Sequence, residues 1–291
     1  MSSIFEVNNS MEEDPVFIFI DGSYYCFYRY YALLQWWKNA APEEPLDEPF
    51  KNEIFLSKFK KVFVETLHNI AKKLNIPKTK KPIMIVGKDC KRENIWRTHL
   101  FPEYKETRKN GPENGFMGGP FFKMAYEEEL FQKGGAKAIL YHPKLEADDS
   151  IAISVKYLLQ KYPSCHIYII TSDRDYLQLN AQNVHLFNLS FKNISENKTS
   201  TGNAEQDLKI KIIMGDTSDN IPSVFPKCGP KTAQKCIEDP AFFEKKMANN
   251  EKYYSQYELN KKLVDFNNIP QELVEEFMET VIQNKNPSKL N

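Results

Sequence analysis

Nine carboxylates in this 291-residue chain sit where chemistry could use them: Asp21, Asp89, Glu146, Asp148, Asp149, Asp173, Asp175, Asp216 and Asp219. Taken singly, each has an ordinary structural role. Acids in LEADD suit the first turn of a helix, where unpaired backbone N–H groups carry partial positive charge. Asp21 suits a strand-end turn, and Asp173, Asp175 and Asp216 suit caps. Taken together they are harder to dismiss, because carboxylates at contact distance repel one another and some would have to take up protons. A divalent cation removes that conflict. Oxygen ligands without His or Cys favour magnesium or manganese over zinc. Nine acids are too many for one such ion. Two ions roughly 3.5 to 4 Å apart would suit them, an arrangement that clamps the attacking and leaving oxygens of a phosphodiester displacement.

The elements that must bring these acids together can be read from apolar runs. VFIFI (16–20), PIMIV (82–86), KAILY (137–141), IYIIT (167–171) and VHLFN (184–188) read as strands, nearly continuous in apolarity, as in a sheet covered on both faces. Helical periodicity fills the gaps, as in residues 52–74 and in the segment after Glu146, where Ile151, Val155 and Leu158 share a face. Alternating strand and helix implies a doubly wound, mostly parallel α/β sheet. Ligands of such sheets sit beyond the carboxyl ends of the strands. Asp21, Asp89, the LEADD acids and the TSDRD acids follow four different strands there. From about residue 206 only helical patterns remain, so Asp216 and Asp219 would reach the crevice from a helical part. NAAPEEPLDEP (39–49) and RKNGPENGFMGGP (108–120) read as loops.

Composition narrows the setting. A content of 41% hydrophobic and 13% aromatic residues supports a real core. No apolar run is long enough for a bilayer, and the polar, acidic MSSIFEVNNSMEED does not read as a leader, so an intracellular, soluble protein without a membrane partner is expected. Five scattered cysteines with no CxxC pair indicate neither a disulfide framework nor a zinc site. The N-x-S/T sequons at Asn188, Asn193 and Asn197 carry no weight in that compartment. Thirty-nine basic residues balance thirty-nine acidic ones, yet Lys72 to Lys109 holds twelve Lys or Arg against four acids. That local excess reads either as a solvated face or as a contact for polyanions.

The ordered pieces FIDGS (19–23), WRTHLFPEYKETR (96–108), LEADD (145–149), TSDRDYLQL (171–179) and GDTSDNIPSV…GPKTA (215–233) resemble the 5′-nuclease or flap endonuclease superfamily of bacterial and phage type. The same type forms the N-terminal nuclease domain of bacterial DNA polymerase I. The resemblance covers roughly residues 16–240. It implies a PIN-like catalytic domain over 1–205, with an arch or clamp insertion at about 104–126, and a helical DNA-binding region with a helix-three-turn-helix element over 206–291. It implies structure-specific 5′-3′ exonuclease or 5′-flap endonuclease activity with two Mg2+ ions, for which Mn2+ substitutes. Asp21, Asp89, Glu146 and Asp148 match the ligands of one ion, and Asp173, Asp175, Asp216 and Asp219 those nearer the second. Asp149 matches an additional acid of the bacterial type.

The resemblance also assigns basic groups. Lys105 and Arg108 match residues at the base of the arch that hold the scissile phosphate, and Arg97 matches as well, beside its alternative as an ordinary salt bridge. Phe116, Phe121, Phe122, Tyr126, Tyr24 and Tyr25 offer rings for stacking on unpaired bases or for core packing. In KCGPKTAQK, Gly229, Lys231 and Thr232 stand at a helix start, where N–H groups bind phosphate regardless of base. In relatives the adjoining loop often holds a monovalent cation such as K+. Here the GxGxK spacing is broken: Lys227 takes the first glycine position and a residue is inserted near Phe225, so K+ is expected only if the loop tolerates that change.

Other readings stand beside this one. A haloacid-dehalogenase-like phosphatase needs a second Asp where this chain has Ser23. A PIN-like ribonuclease generally lacks the GDTSDNIPSV…GPKTA extension, and an RNase H-like action on a hybrid's 5′ strand is compatible with the acids. A catalytically silent binder of branched DNA would have lost ligands, and all nine are present. The expected partners are DNA with a free 5′ end or flap and a separate polymerase, the nuclease itself being a monomer.

Overall fold

Period-two alternation of apolar side chains onto two covered faces builds the sheet. The computed structural model describes residues 4–6, 14–108 and 116–283. Strands β1 (Val16–Asp21), β2 (Ile83–Gly87), β3 (Ala138–Leu140), β4 (His166–Ile170) and β5 (Val184–Phe187) all run parallel in the order β3-β2-β1-β4-β5. All five expected strands are present, displaced by a residue or so at their ends. The chain winds outward from β1 on one side through β2 and β3, then crosses to β4 and β5. The strand order therefore reverses beside β1, the place where ligands of such sheets bind.

The intervening helices are α1 (Gly22–Ala40), α2 (Glu53–His68), α3 (Ile70–Lys73), α4 (Arg97–Leu100), α5 (Gly119–Glu127), α6 (Leu130–Lys133) and α7 (Ala147–Lys161). Phe17, Phe19, Ile85, Ile167, Ile169 and Leu186 point to the face covered by Ile151, Val155 and Leu158 of α7. Ile18, Ile20, Met84, Val86 and Ile170 point to the other, covered by α1, α2, α5 and α6 through Tyr25, Phe59, Phe121 and Phe131. The helix expected over 52–74 breaks at Asn69 into α2 and α3. Gly119 and Pro120, expected in a loop, open α5, where Pro is tolerated because first-turn N–H groups lack partners anyway. Residues 109–115 of the expected arch lie outside the described residues.

Helices α8 (Ala204–Met214), α9 (Pro230–Glu238), α10 (Pro240–Met247), α11 (Glu251–Val264) and α12 (Gln271–Phe277) follow. They do not form one separate unit, as the expected boundary at residue 205 would have it. Helices α8 to α10 enclose a small core of Ile210, Ile213, Val224, Phe225, Ala233, Cys236 and Met247. Phe266, Ile269, Leu273, Phe277 and Ile282 instead return to the sheet and join the α7 face. The reason is plain: these residues complete a face that α7 alone leaves partly open. Among the described residues no helix is long and apolar enough to cross a membrane.

Because Phe277 is fully buried in the sheet core, Phe277→Ala should cost about 3–5 kcal/mol. In urea unfolding that loss should appear in one cooperative transition. A separate early transition, with the main one unmoved, would show instead that the C-terminal return is dispensable to the sheet.

Candidate active site

The site grows from strand ends and caps. Asp21 closes β1 and also caps α1, its Oδ1 accepting the Tyr24 N–H at 3.0 Å. Gly22 follows because a Cβ there would lie 2.5 Å from the Gly87 carbonyl and 2.4 Å from the Tyr126 hydroxyl; this closeness draws the ends of β1 and β2 together. Asp89, two residues past β2, accepts the Ala147 N–H at 2.8 Å and the Ser23 hydroxyl, and so joins the start of α7. Glu146 caps α7, with Asp148 and Asp149 in its first turn. Asp173 accepts the Asp175 N–H at 3.0 Å in the turn after β4. Asp216 and Asp219 lie in a tight loop held by reciprocal backbone bonds between Asp216 and Ile221 (2.9 and 2.8 Å). Gly215 enters that loop at φ 67°, where a Cβ would stand 2.3 Å from the Ile221 carbonyl.

A cavity of about 750 Å³ opens at this edge, lined by Asp21, Asp89, Glu146, Asp148, Asp173 and Asp216 together with Lys105, Arg108 and Lys211. Within it and beneath it lie two compact triads, Glu146–Asp148–Asp149 and Asp175–Asp216–Asp219, each offering one oxygen per residue within 4.8 Å of the others. The nine acids thus converge, but they divide otherwise than expected. Five carry basic partners. Lys105 and Arg97 contact Glu146, Arg97 contacts Asp149, Lys211 bridges Asp175 and Asp216, and Arg108 contacts Asp219. Among the described residues, Asp21, Asp89, Asp148 and Asp173 have no ion pair, and all four line the cavity.

Electrostatics follow that division. Burial, with Asp89 and Asp173 nearby, pushes Asp21 up to about 7. Burial and the adjacent Asp149 and Glu146 raise Asp148 well above the carboxylate range. Burial also works to raise Glu146, but Lys105 and Arg97 outweigh it and hold that group below its ordinary value. Asp216 is similarly held down, to about 2, by Lys211 against its burial. Asp175 stays raised, since burial exceeds what Lys211 returns.

These residues fit a hard divalent cation. The triads offer oxygen alone, and the unpaired acids are the ones whose crowding a cation would relieve. Cys90 also lines the cavity, yet burial and Glu146 raise its thiol far above the usual range, so it is not a thiolate ligand.

Several expected contacts fall elsewhere. Arg97 is 2% exposed, and its guanidinium is fully engaged: Nε donates to the Leu263 carbonyl at 2.7 Å, and the terminal nitrogens donate to Asp149 (2.7 and 2.8 Å) and Glu146 (3.0 Å). It is a buried ion pair, not a phosphate contact. Asp149 accepts in addition the Trp96 indole N–H at 2.9 Å and the Glu146 N–H at 3.1 Å, which occupies both of its oxygens. Tyr25 and Phe121 are fully buried, and the Tyr25 hydroxyl donates to the Phe63 carbonyl at 2.7 Å, so neither ring can stack on a base. Phe116, Phe122 and Tyr126 pack against the same core. Tyr24 does line the cavity, next to Phe27, which the sequence reading passed over.

On the helical side, Gly229 is the cap of α9 and brings no side-chain acceptor, Lys231 and Lys227 are exposed, and Thr232 is half-buried. Lys227 adopts φ 57°, a conformation natural to glycine, in the position where the motif shows glycine.

Besides Phe27, three polar residues that hold the site together had no sequence assignment. Lys211 is one; Tyr104, whose hydroxyl lies 3.0 Å from Glu146 Oε2 and 3.2 Å from Asp219 Oδ2, is another. The third is Arg92, which donates to the Lys105 and Arg108 carbonyls and so ties down the loop of the two basic residues. Periodicity could not have separated Lys211 from Lys209, its exposed neighbour paired with Glu205, because Ile210, Ile212 and Ile213 are all buried around them.

Comparison with known proteins places the chain in a family and a fold. Residues 16–209 match the family model described as 5′-3′ exonuclease, N-terminal resolvase-like domain. A 5′-3′ exonuclease of Buchnera aphidicola from Acyrthosiphon pisum is 30% identical over 261 residues, 88% of this chain and 78% of that one. A flap endonuclease Xni of Shewanella oneidensis is 30% identical over 149 residues, 50% of this chain and 53% of its own. The T5 D15 protein co-crystallised with metal ions superposes with a TM-score of 0.63 at 19% identity, covering 93% of this chain and 99% of that one, a likeness of fold.

The raised Asp21 makes a pH prediction for the metal-free protein. Its carboxyl titrates at about 7 when folded and at about 4 when unfolded. The folded state therefore binds more protons in between, and the stability this group contributes is complete below about pH 4 and lost as pH rises through about 7. Metal-free Asp21→Asn should gain Tm relative to the wild type between pH 5 and 8. Parallel Tm curves would show that Asp21 titrates normally.

Proposed function

The chain belongs to the 5′-3′ exonuclease family, and on that premise we propose that it is a metal-dependent 5′-nuclease that hydrolyses DNA at a free 5′ end or a 5′ flap. One observation carries the reading: four carboxylates from separate places on the sheet's edge, Asp21, Asp89, Asp148 and Asp173, line one cavity without a basic partner among the described residues. Bound magnesium, or manganese in its place, would supply Lewis acidity toward the attacking water and the leaving 3′ oxygen. Those four acids would hold it, with Glu146, Asp175, Asp216 and Asp219 completing two groups around paired ions.

The remaining work belongs to the chain's own side chains. Lys105, Arg108 and Lys211 line the cavity, and each can exchange a carboxylate partner for an oxygen of the scissile phosphate, offsetting charge that develops there. Tyr104 stays beneath them, between Glu146 and Asp219. Arg97 and Asp149 keep the start of α7 in place from behind the cavity and touch no substrate. Outside the cavity, the start of α9 at Gly229, Lys231 and Thr232, with Lys227 before it, takes the backbone of duplex DNA without reading its bases.

An end-labelled 5′-flap duplex tests the reading. Cleavage is expected with magnesium and not with chelator. Asp148→Ala should abolish cleavage while leaving flap binding measurable, and cleavage unchanged in that variant would defeat the metal assignment. Lys231→Ala should weaken duplex binding for all sequences alike and lower the slope of log affinity against log salt by about one. An unaltered slope would remove α9 from the DNA surface.

A further inference from the structure

Two anchor points on α11, three residues apart, reach both carboxylate triads from behind. The first is made by Asn260, fully buried in the middle of the helix. Its Nδ2 donates to the carbonyls of Ile212 (2.9 Å) and Pro222 (2.8 Å), and its Oδ1 accepts from Gln256 Nε2 at 2.8 Å. Those two carbonyls stand at either end of the loop that carries Asp216 and Asp219. The Ile212 carbonyl has no helical partner, because the Asp216 N–H turns instead to Ile221. Asparagine is a poor helix former, and burying it costs free energy unless its amide is satisfied. Here three hydrogen bonds satisfy it, and two of them hold the ends of the loop together.

The second bond is made three residues later. The Leu263 carbonyl, in the last turn of α11, accepts from Arg97 Nε at 2.7 Å. The rest of that guanidinium holds Asp149 and Glu146. Between these two anchors the space is filled by apolar contact: Leu263 and Val264 pack with Ile212, Ile221, Tyr104, Cys90 and Ile95. The triads themselves meet at the Tyr104 hydroxyl, which lies within 3.2 Å of both Glu146 and Asp219. A shift of the 215–222 loop relative to α7 would therefore change their spacing directly.

We propose that α11 is a brace that sets the separation of the two carboxylate groups, with Asn260 and the Arg97–Asp149 pair as its positioning residues. The inference rests on the two-ion nuclease reading above. It places outside the DNA-cleaving cavity a determinant of how well that cavity holds two cations. It also gives Asp149 a role other than ligand, since its oxygens already accept from Arg97, Trp96 and the Glu146 N–H.

The test uses the full chain loaded with Mn2+. Calorimetry measures affinity, and electron paramagnetic resonance measures the spin coupling between the two ions, which depends on their separation. Asn260→Leu removes both donors at similar volume, and Gln256→Ala only frees the Asn260 amide to turn. Asn260→Leu should weaken Mn2+ binding by roughly tenfold or more and reduce or broaden the coupling. Gln256→Ala should do the same to a smaller degree, with kcat falling and KM for the flap substrate unchanged. If Asn260→Leu fails to fold, Gln256→Ala decides the matter by the same two readouts. Folded variants that keep wild-type affinity and coupling overturn the brace. A wild type that takes up only one Mn2+ overturns the two-ion reading itself, and that result is seen before any variant is made.

Discussion

Repulsion among buried carboxylates is the constraint around which this molecule is arranged. Parallel strands end on one edge of the sheet, and the residues after β1, β2 and β4 and at the start of α7 are acids. Asp173 is exposed, but the others are buried or half-buried, where solvent dilutes their charges little and a proton, a basic side chain or a cation is needed to neutralise them. The structure uses basic side chains for five of them and, among the described residues, leaves Asp21, Asp89, Asp148 and Asp173 without one. Burial, together with the acids beside them, raises Asp21 and Asp148 above the carboxylate range.

The compensating bases are of two kinds. Arg97 is sealed beneath the site, and its planar fork satisfies Asp149 in bidentate fashion while a third bond reaches Leu263. Such a buried pair adds little net stability against apolar residues of equal volume, yet losing one member would strand the other charge. Its use is geometric, because it holds the first turn of α7 at a defined distance from α11. Lys105, Arg108 and Lys211 are different. They stand at the cavity wall, where, on the proposed nuclease function, a phosphate would replace the carboxylate they now contact.

The C-terminal segment makes this arrangement rigid. The α8 to α10 cluster has its own small core, but α11 and the residues after it are tied to the sheet, through Asn260, Leu263 and the return of Phe266 and Phe277 to the α7 face. The family model ends at residue 209, so the elements that steady the two triads lie largely beyond it.

Much of this was legible in the sequence. Five apolar runs became five parallel strands, because a strand covered on both faces needs little more than continuous apolarity and turn residues at its ends. The acids were legible as a group, since the residue after a parallel strand falls on the ligand-binding edge whatever the details of packing. Partnership was not. That Lys105 meets Glu146, and that Arg97 faces buried carboxylates and not phosphate, depends on side chains 41 to 52 residues apart in sequence, and no local pattern encodes such pairings. The same holds for Tyr25 and Phe121, whose rings look alike in sequence whether they stack on a base or fill a core. Residue types and their spacing along the chain determined the sheet, its edge and the chemistry available there. Tertiary structure alone decided which charges were already satisfied, because burial and pairing are properties of contacts between elements and not of any one of them.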